Sequence, residues 1–339
     1  MNKKYKIVFS VIKIVLSIII IITAIFLVMT YKTLFANKTE EAKVETEIEK
    51  IELKRISTYN KPIVPEGFKK VETETASWEE VEGIPIGWNS GLVIEDEIGN
   101  QFVWVPVRHK YMQDAENDTI IYENREQARI FQHGGFYIGR YEAGIPEEYT
   151  EKISENEIRT TTNNKVGIPT SKKNQLPWNY IHWSRANESA ENMYKDNEYV
   201  ASDLITMQQW EYTSNWLAEC GYDVKNCAEW GNYSNVNFSF TGYYSIDGKT
   251  YKYAENGMKQ TYNMILSTGA TERNKANNIY DLAGNLVEFI DVNESSNNCE
   301  VRGGYYDNIS TYGVADESRG LSISEGNVRQ GFRVVLYMK

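Results

Sequence analysis

The sequence predicts an α+β domain, with two main helices among short twisted sheets and long loops, standing behind one amino-terminal transmembrane helix. Three observations carry that reading. An uncharged run of 18 residues, Ile14 to Tyr31, lies near the amino terminus. Two stretches, Trp183–Lys195 and Thr206–Ala218, place apolar residues at helical spacing. Elsewhere, short apolar segments are separated by long polar ones.

Lys3, Lys4, Lys6 and Lys13 precede the uncharged run, and Ile18 to Ile22 is unbroken isoleucine. At about 1.5 Å per residue the run nearly crosses a hydrocarbon core of about 30 Å, and Ile7–Ile12 extends it. Membrane contact is therefore expected through residues 7–31. The excess of lysine before the run places the amino terminus in the cytoplasm. The chain then reads as a single-pass protein of the cell membrane with an extracellular carboxy-terminal domain. A cleavable signal peptide is the rival reading. The apolar run is longer than such peptides use, and Leu34 stands where a small residue is preferred before a cut at Ala36. Residues 1–36 thus form the cytoplasmic tip and anchor, 37–65 a charged stalk, and 66–339 the globular domain. In the stalk, Val44, Ile48 and Ile51 recur at helical spacing. A solvated spacer and a short coiled coil through which copies self-associate both fit.

Of the 339 residues, 36 are Lys or Arg and 47 are Asp or Glu. The first 65 residues carry a net charge of +5 and the remainder −16. So acidic a domain is unsuited to general nucleic-acid binding, which needs Lys and Arg to displace phosphate counterions. Three cysteines exclude a disulfide-dense scaffold and a four-cysteine zinc or iron–sulfur site. Histidines are equally few: His109, His133 and His182.

The elements follow in order. Leu92–Asp96 and Gln101–Val107 read as strands around the turn residues Gly99 and Asn100, a hairpin signal. Phe136–Tyr141 is a further short strand, and Glu147–Lys173, rich in Thr and Asn, reads as loop. In the first helix Trp183, Ala186, Ala190, Met193 and Tyr194 share one face. In the second, Thr206 and Gln209 have capping-box spacing, and Trp210, Ser214 and Leu217 line a face. The stretch from Asn226 to Lys275 has turn character throughout. Leu286–Ile290, Val301–Tyr306 and Phe332–Tyr337 close the chain as short strands. Cys220 and Cys227, seven apart, suit either a disulfide or two structural thiols.

Seven segments stand in a recognisable order: Phe102–Val107 (FVWVPV), Gly135–Glu142 (GFYIGRYE), Leu176–Trp183 (LPWNYIHW), Leu204–Tyr212 (LITMQQWEY), Asn278–Phe289 (NIYDLAGNLVEF), Val301–Tyr305 (VRGGY) and Gly331–Val335 (GFRVV). In this order the sequence resembles the formylglycine-generating enzyme, or sulfatase-modifying factor, family, and the resemblance runs from Phe102 to Leu336, about 70% of the chain. The resemblance implies a fold related to C-type lectins, with two helices packed on a small twisted sheet. It also implies where catalysis would sit. Family enzymes hold copper(I) on two cysteines shortly after the Gly-Gly matching Gly303 and Gly304, and thiolates suit that soft ion. Here Asn308 and Gly313 occupy those positions, and Cys299 lies on the other side of the Gly-Gly. No copper is expected.

The resemblance further implies structural calcium, held by the Asp281 and Glu288 side chains and the Gly284 and Leu286 carbonyls. Two carboxylates with carbonyls make a hard anionic cage. A metal-free turn held by Asp281 and Asn285 side-chain hydrogen bonds is the alternative. Tyr305, Tyr306, Asp307, Asn308, Tyr312 and Arg319 lie on the loop where the family places its groove. Aromatic faces beside Asn, Asp and Arg suit a glycan or peptide ligand. The same tyrosines could instead fill gaps in a loop-rich core. Arg302 and Arg333 read as internal ion-pair partners. The function expected is a membrane-anchored, calcium-stabilised, non-catalytic binding module of a bacterial surface. An oxidoreductase with a divergent site and a hypervariable or phage-derived receptor-binding protein are the alternatives.

Overall fold

The computed structural model describes residues 62–107, 130, 133–161, 164–260, 263–290, 298–315, 321–322 and 326–339. The chain divides into two units, Met1–Ile56 and Ser57–Lys339. The first lies wholly outside the described residues.

The second unit is built on a six-stranded sheet. Its strands run in the order Phe68–Val71, Val93–Asp96, Gln101–Pro106, Gly135–Gly139, Val334–Met338 and Val200–Leu204. All neighbours are antiparallel. The expected hairpin is present, with Val93 opposite Val103 and Ile94 opposite Phe102. The strand Val334–Met338 inserts between Gly135–Gly139 and Val200–Leu204, fifth of the six strands.

Successive side chains in a strand point to opposite faces, and both faces here are buried. Ile94, Phe102, Trp104, Tyr137 and Leu336 join one core cluster, to which helix α1, Trp183–Asn192, adds Trp183, Ala186 and Ala190. Val93, Val103, Val105, Phe136, Ile138 and Val335 join the other, to which helix α2, Met207–Glu219, adds Trp210, Trp216 and Leu217. The sheet thus lies between two helix-bearing layers. Each helix is pinned by an indole: Trp183 Nε1 donates to the Ile290 carbonyl at 2.9 Å and Trp210 Nε1 to the Val314 carbonyl at 2.7 Å. The capping box of α2 forms as its spacing predicts. Thr206 Oγ1 accepts from Gln209 N at 3.2 Å, and Gln209 Oε1 accepts from Thr206 N at 2.9 Å.

The α+β expectation is corrected toward β. Among the described residues there are only two α-helices, and strands make up most of the regular structure. The segments read as loop or turn supply the difference. Thr150–Ser154 and Glu157–Thr160 form a hairpin within the polar stretch read as loop. Ser239–Ser245 and Thr250–Lys259 form another, and with Ile265–Leu266 the two hairpins make a five-stranded sheet. Thr, Ile and Tyr are enriched in strands because their side chains fit a pleated surface and pack on cross-strand neighbours. The first hairpin is largely exposed, so it lacks the apolar alternation that marks a half-buried strand. A four-stranded sheet, Leu321–Ser322, Asn298–Arg302, Val287–Ile290 and Gln330–Gly331, carries the motif-rich end of the chain.

The expected transmembrane helix is corrected as well. Among the described residues no helix is long and apolar enough to cross a membrane. The longer one, α2, has 13 residues and reaches only about 20 Å. The span expected over residues 7–31 lies outside the described residues. The single-pass, cell-membrane and extracellular placement that rested on it has no structural support and is withdrawn.

Candidate functional site

The segment Asp281–Glu288 turns sharply. Asp281, Gly284 and Asn285 have φ of +56°, +76° and +60°. Glycine is required at 284, because a Cβ there would stand 2.1 Å from the Asn232 carbonyl oxygen. That close approach lets two chain segments lock together. Asn285 N donates to Asn232 O at 3.1 Å, and Asn232 N to Ala283 O at 3.1 Å. The Asn285 side chain accepts from Leu266 N at 2.9 Å and from Asn232 Nδ2 at 3.1 Å, and its amide donates to Glu142. Glu142 also accepts from Leu286 N at 3.0 Å.

The two carboxylates assigned to calcium are both buried and both engaged. Glu288 lies against Arg333, whose Nε reaches both carboxylate oxygens at 3.0 Å and whose Nη2 reaches Oε1 at 2.6 Å. The Arg333 guanidinium also donates to the Gly139 and Tyr280 carbonyls, each at 2.9 Å. Asp281 Oδ2 accepts from Gly269 N at 2.7 Å. This donor set does not fit a calcium cage, because a guanidinium already takes the Glu288 oxygens. The turn held by Asp281 and Asn285 hydrogen bonds is the arrangement these residues adopt.

Glu142, Asp281 and Glu288 therefore share one buried cation. Burial pushes the Glu142 carboxyl well above the usual carboxylate range, and the Asp281 and Glu288 charges add to it, against the pull of Arg333. Burial likewise raises Asp281 to about 7, opposed by the Gly269 N–H and Arg333. Glu288 is raised by burial and restrained by Arg333.

The loop expected to carry the groove is seated on this node. Gly284 N donates to Gly303 O at 2.8 Å and Tyr306 N to Asn285 O at 3.0 Å. Asn308 closes the turn, its Oδ1 accepting from Tyr305 N at 3.2 Å and its carbonyl accepting from Ser234 N at 2.8 Å. Ser310 is tied down by Asn235 and Asn226. Tyr306 points inward and is buried at 6% exposure, whereas Tyr305, Asn308 and Tyr312 are half-buried and Asp307 is exposed. Arg319 lies outside the described residues.

Two side chains that sequence reasoning passed over complete this surface. The Arg329 guanidinium lies 5.0 Å from the Tyr305 ring centre and donates to Asp307 Oδ2 at 3.3 Å. Asn263 Nδ2 donates to Asp307 Oδ1. Neither stands in a motif. Arg329 precedes Gly331-Phe332-Arg333 by two positions, which is the one signal that it lies near Val287–Ile290.

The three cysteines stay unlinked. Cys299 and Cys227 belong to the cores on opposite faces of the sheet, and Cys220 is half-buried. Burial pushes the Cys227 thiol up to about 12.

No protein-family model and no curated protein sequence matches the chain. Solved structures similar to it include that of CarF, at 14% identity and a TM-score of 0.39, covering 60% of this chain and 87% of CarF. PvdO from Pseudomonas aeruginosa shows 13% identity and a TM-score of 0.40, over 73% of this chain and 98% of PvdO. Treponema denticola variable protein 1 shows 12% identity and a TM-score of 0.33, over 59% of this chain and 95% of that one. At TM-scores of 0.40 and below, these likenesses carry no argument about this chain.

Proposed function

We propose that the chain is a non-catalytic binding module that holds a glycan or peptide on the surface of Tyr305, Asp307, Asn308 and Arg329. The observation that carries this reading is the placement of Arg329 over the Tyr305 ring while it pairs with Asp307. An aromatic face, a cation and a carboxylate are thereby held together on one surface before any ligand arrives. Tyrosine offers contact area at low cost in side-chain entropy, and a loop already fixed to the core has little backbone freedom left to lose. Gly304 keeps that fixing tight. Its φ is +69°, and a Cβ there would meet the Tyr312 carbonyl oxygen at 2.3 Å.

The test is a glycan and peptide array probed with the full chain, alongside Tyr305→Ala and Asp307→Asn variants. The reading expects a restricted set of bound glycans or peptides, weakened about tenfold or more by Tyr305→Ala. An array without binding, or binding indifferent to both substitutions, contradicts it.

A further inference from the structure

Two exposed cations, Arg329 and Lys249, are positioned by one buried side chain. Asn179 is 0% exposed, and its Nδ2 donates to Gly248 O and to Val328 O, each at 3.1 Å. Those carbonyls immediately precede Lys249 and Arg329, so a single amide holds the two cation-bearing positions close together. Both main chains are fixed further. Lys249 O accepts from Thr160 N at 2.9 Å, and Arg329 O accepts from Val287 N at 2.8 Å.

Each cation lies on a tyrosine ring. Lys249 Nζ is 4.7 Å from the Tyr180 ring centre, as the Arg329 guanidinium is 5.0 Å from that of Tyr305. Tyr180 follows Asn179 and takes a φ of +54°, which few residues other than glycine adopt. It is braced between the same two loops: its N donates to Asn327 O at 3.0 Å and its hydroxyl to Asp247 O at 2.9 Å. Tyr306 joins the two pairs. Burial raises its hydroxyl above the usual phenol range against the pull of Arg329, and Tyr180 is close enough to add to the rise.

Both cations are open to a ligand. Lys249 is exposed and makes no ion pair among the described residues. Arg329 is 47% exposed, and its pairing with Asp307 is a single contact of 3.3 Å, which holds weakly at an exposed site. Asp307 keeps the Asn263 amide when Arg329 turns to a ligand. The other nearby carboxylate, Asp247, is occupied in its own turn by Ser245 Oγ, Lys249 N and Thr250 N. In a domain with a net charge of −16, two available cations held together are a local reversal of sign. The ring faces on which a sugar would stack already carry the cations. The same two loops instead expose Ile246 at 63% and Ile309 at 48%. Cationic tips beside apolar side chains suit a peptide, and a guanidinium takes a carboxylate through two parallel N–H donors.

We infer that the Tyr305 surface extends over Tyr180 and Lys249 and takes an acidic peptide, its carboxylates on Arg329 and Lys249 and its apolar side chains against Ile246 and Ile309. This rests on the proposed function and names the ligand class of that surface. The test is an array of decapeptides graded in Asp and Glu content, with neutral and sulfated glycans beside them, probed with the full chain. Peptides mixing acidic and apolar residues bind best. In fluorescence anisotropy with the tightest of them, Lys249→Gln and Arg329→Gln each weaken binding about tenfold or more. Asp307→Asn strengthens it, because a competing carboxylate is gone. Lys152→Gln, at an exposed lysine on another hairpin, leaves it unchanged. Lys249 is exposed, so its substitution keeps the fold. Preference for neutral or basic peptides or for glycans, or indifference to Lys249→Gln, overturns the inference. Where such binding still falls in Tyr305→Ala, the binding surface stands and only its acidic class fails; an array without binding removes both.

Discussion

Replacing Arg333 by methionine tests whether a guanidinium is the cation on which the motif-rich end of the fold depends. Arg333 and Glu288 are both 0% exposed and are joined by three contacts of 3.0 Å or less. Methionine fills similar volume but leaves Glu288 buried and charged, near Asp281 and Glu142. Breaking a buried pair from one side costs about 3–5 kcal/mol. The Gly139 and Tyr280 carbonyls also lose their donors. A total of about 4 kcal/mol or more is expected, a fall in Tm of about 8–16 °C for a domain of this size. Urea unfolding followed by tryptophan fluorescence at pH 7 reads the difference. Adding Glu288→Gln to Arg333→Met is expected to recover part of the loss, because the uncompensated charge is gone. A loss under about 1 kcal/mol, or a double variant worse than the single, refutes the reasoning.

The other expectations concern protons, metal and capping. Asp281 is raised from an ordinary value of 3.8 to about 7, and burial also raises Glu142 well above the usual carboxylate range, so the folded state holds protons the unfolded state has released. Stability is therefore expected to be highest at mildly acid pH and to fall as pH rises through about 7; calorimetry should give a higher Tm at pH 5.5 than at pH 8. Because Arg333 already engages Glu288, excess chelator is expected to leave Tm unchanged, and a clear fall in chelator restored by calcium would contradict that account of the segment. Thr206→Ala removes half of the α2 capping box and should cost about 1 kcal/mol in urea unfolding without altering ligand binding.

Local signals in the chain translated well into structure. Thr206 and Gln209 announce a cap by spacing alone, because a capping box needs only residues three apart. The Gly99-Asn100 hairpin is as local, and Arg333 forms the internal ion pair its sequence predicts, with Glu288. Misreadings arose where local composition conflicts with pairing. Asn226–Lys275 looks like turn, yet Asp247-Gly248 inside it is a hairpin signal, and Ser239–Ser245 pairs with Thr250–Lys259 across it. The candidate sites were legible only in part. Tyr305, Asp307 and Asn308 belong to one loop and could be named together. Their partners Arg329 and Asn263 come from elsewhere in the chain, as do Tyr180 and Lys249, and nothing in spacing brings them together. The motif positions name Asp281 and Glu288 together, but only the folded chain brings Arg333 onto Glu288.

The measurement that bears most directly on the proposed function is the array with wild-type chain and Tyr305→Ala side by side, with folding of both checked by Tm. The account predicts selective binding by the wild type that falls about tenfold or more in the variant while Tm moves little. Selective binding of equal strength in both proteins would place the ligand somewhere other than the Tyr305 surface and contradict it.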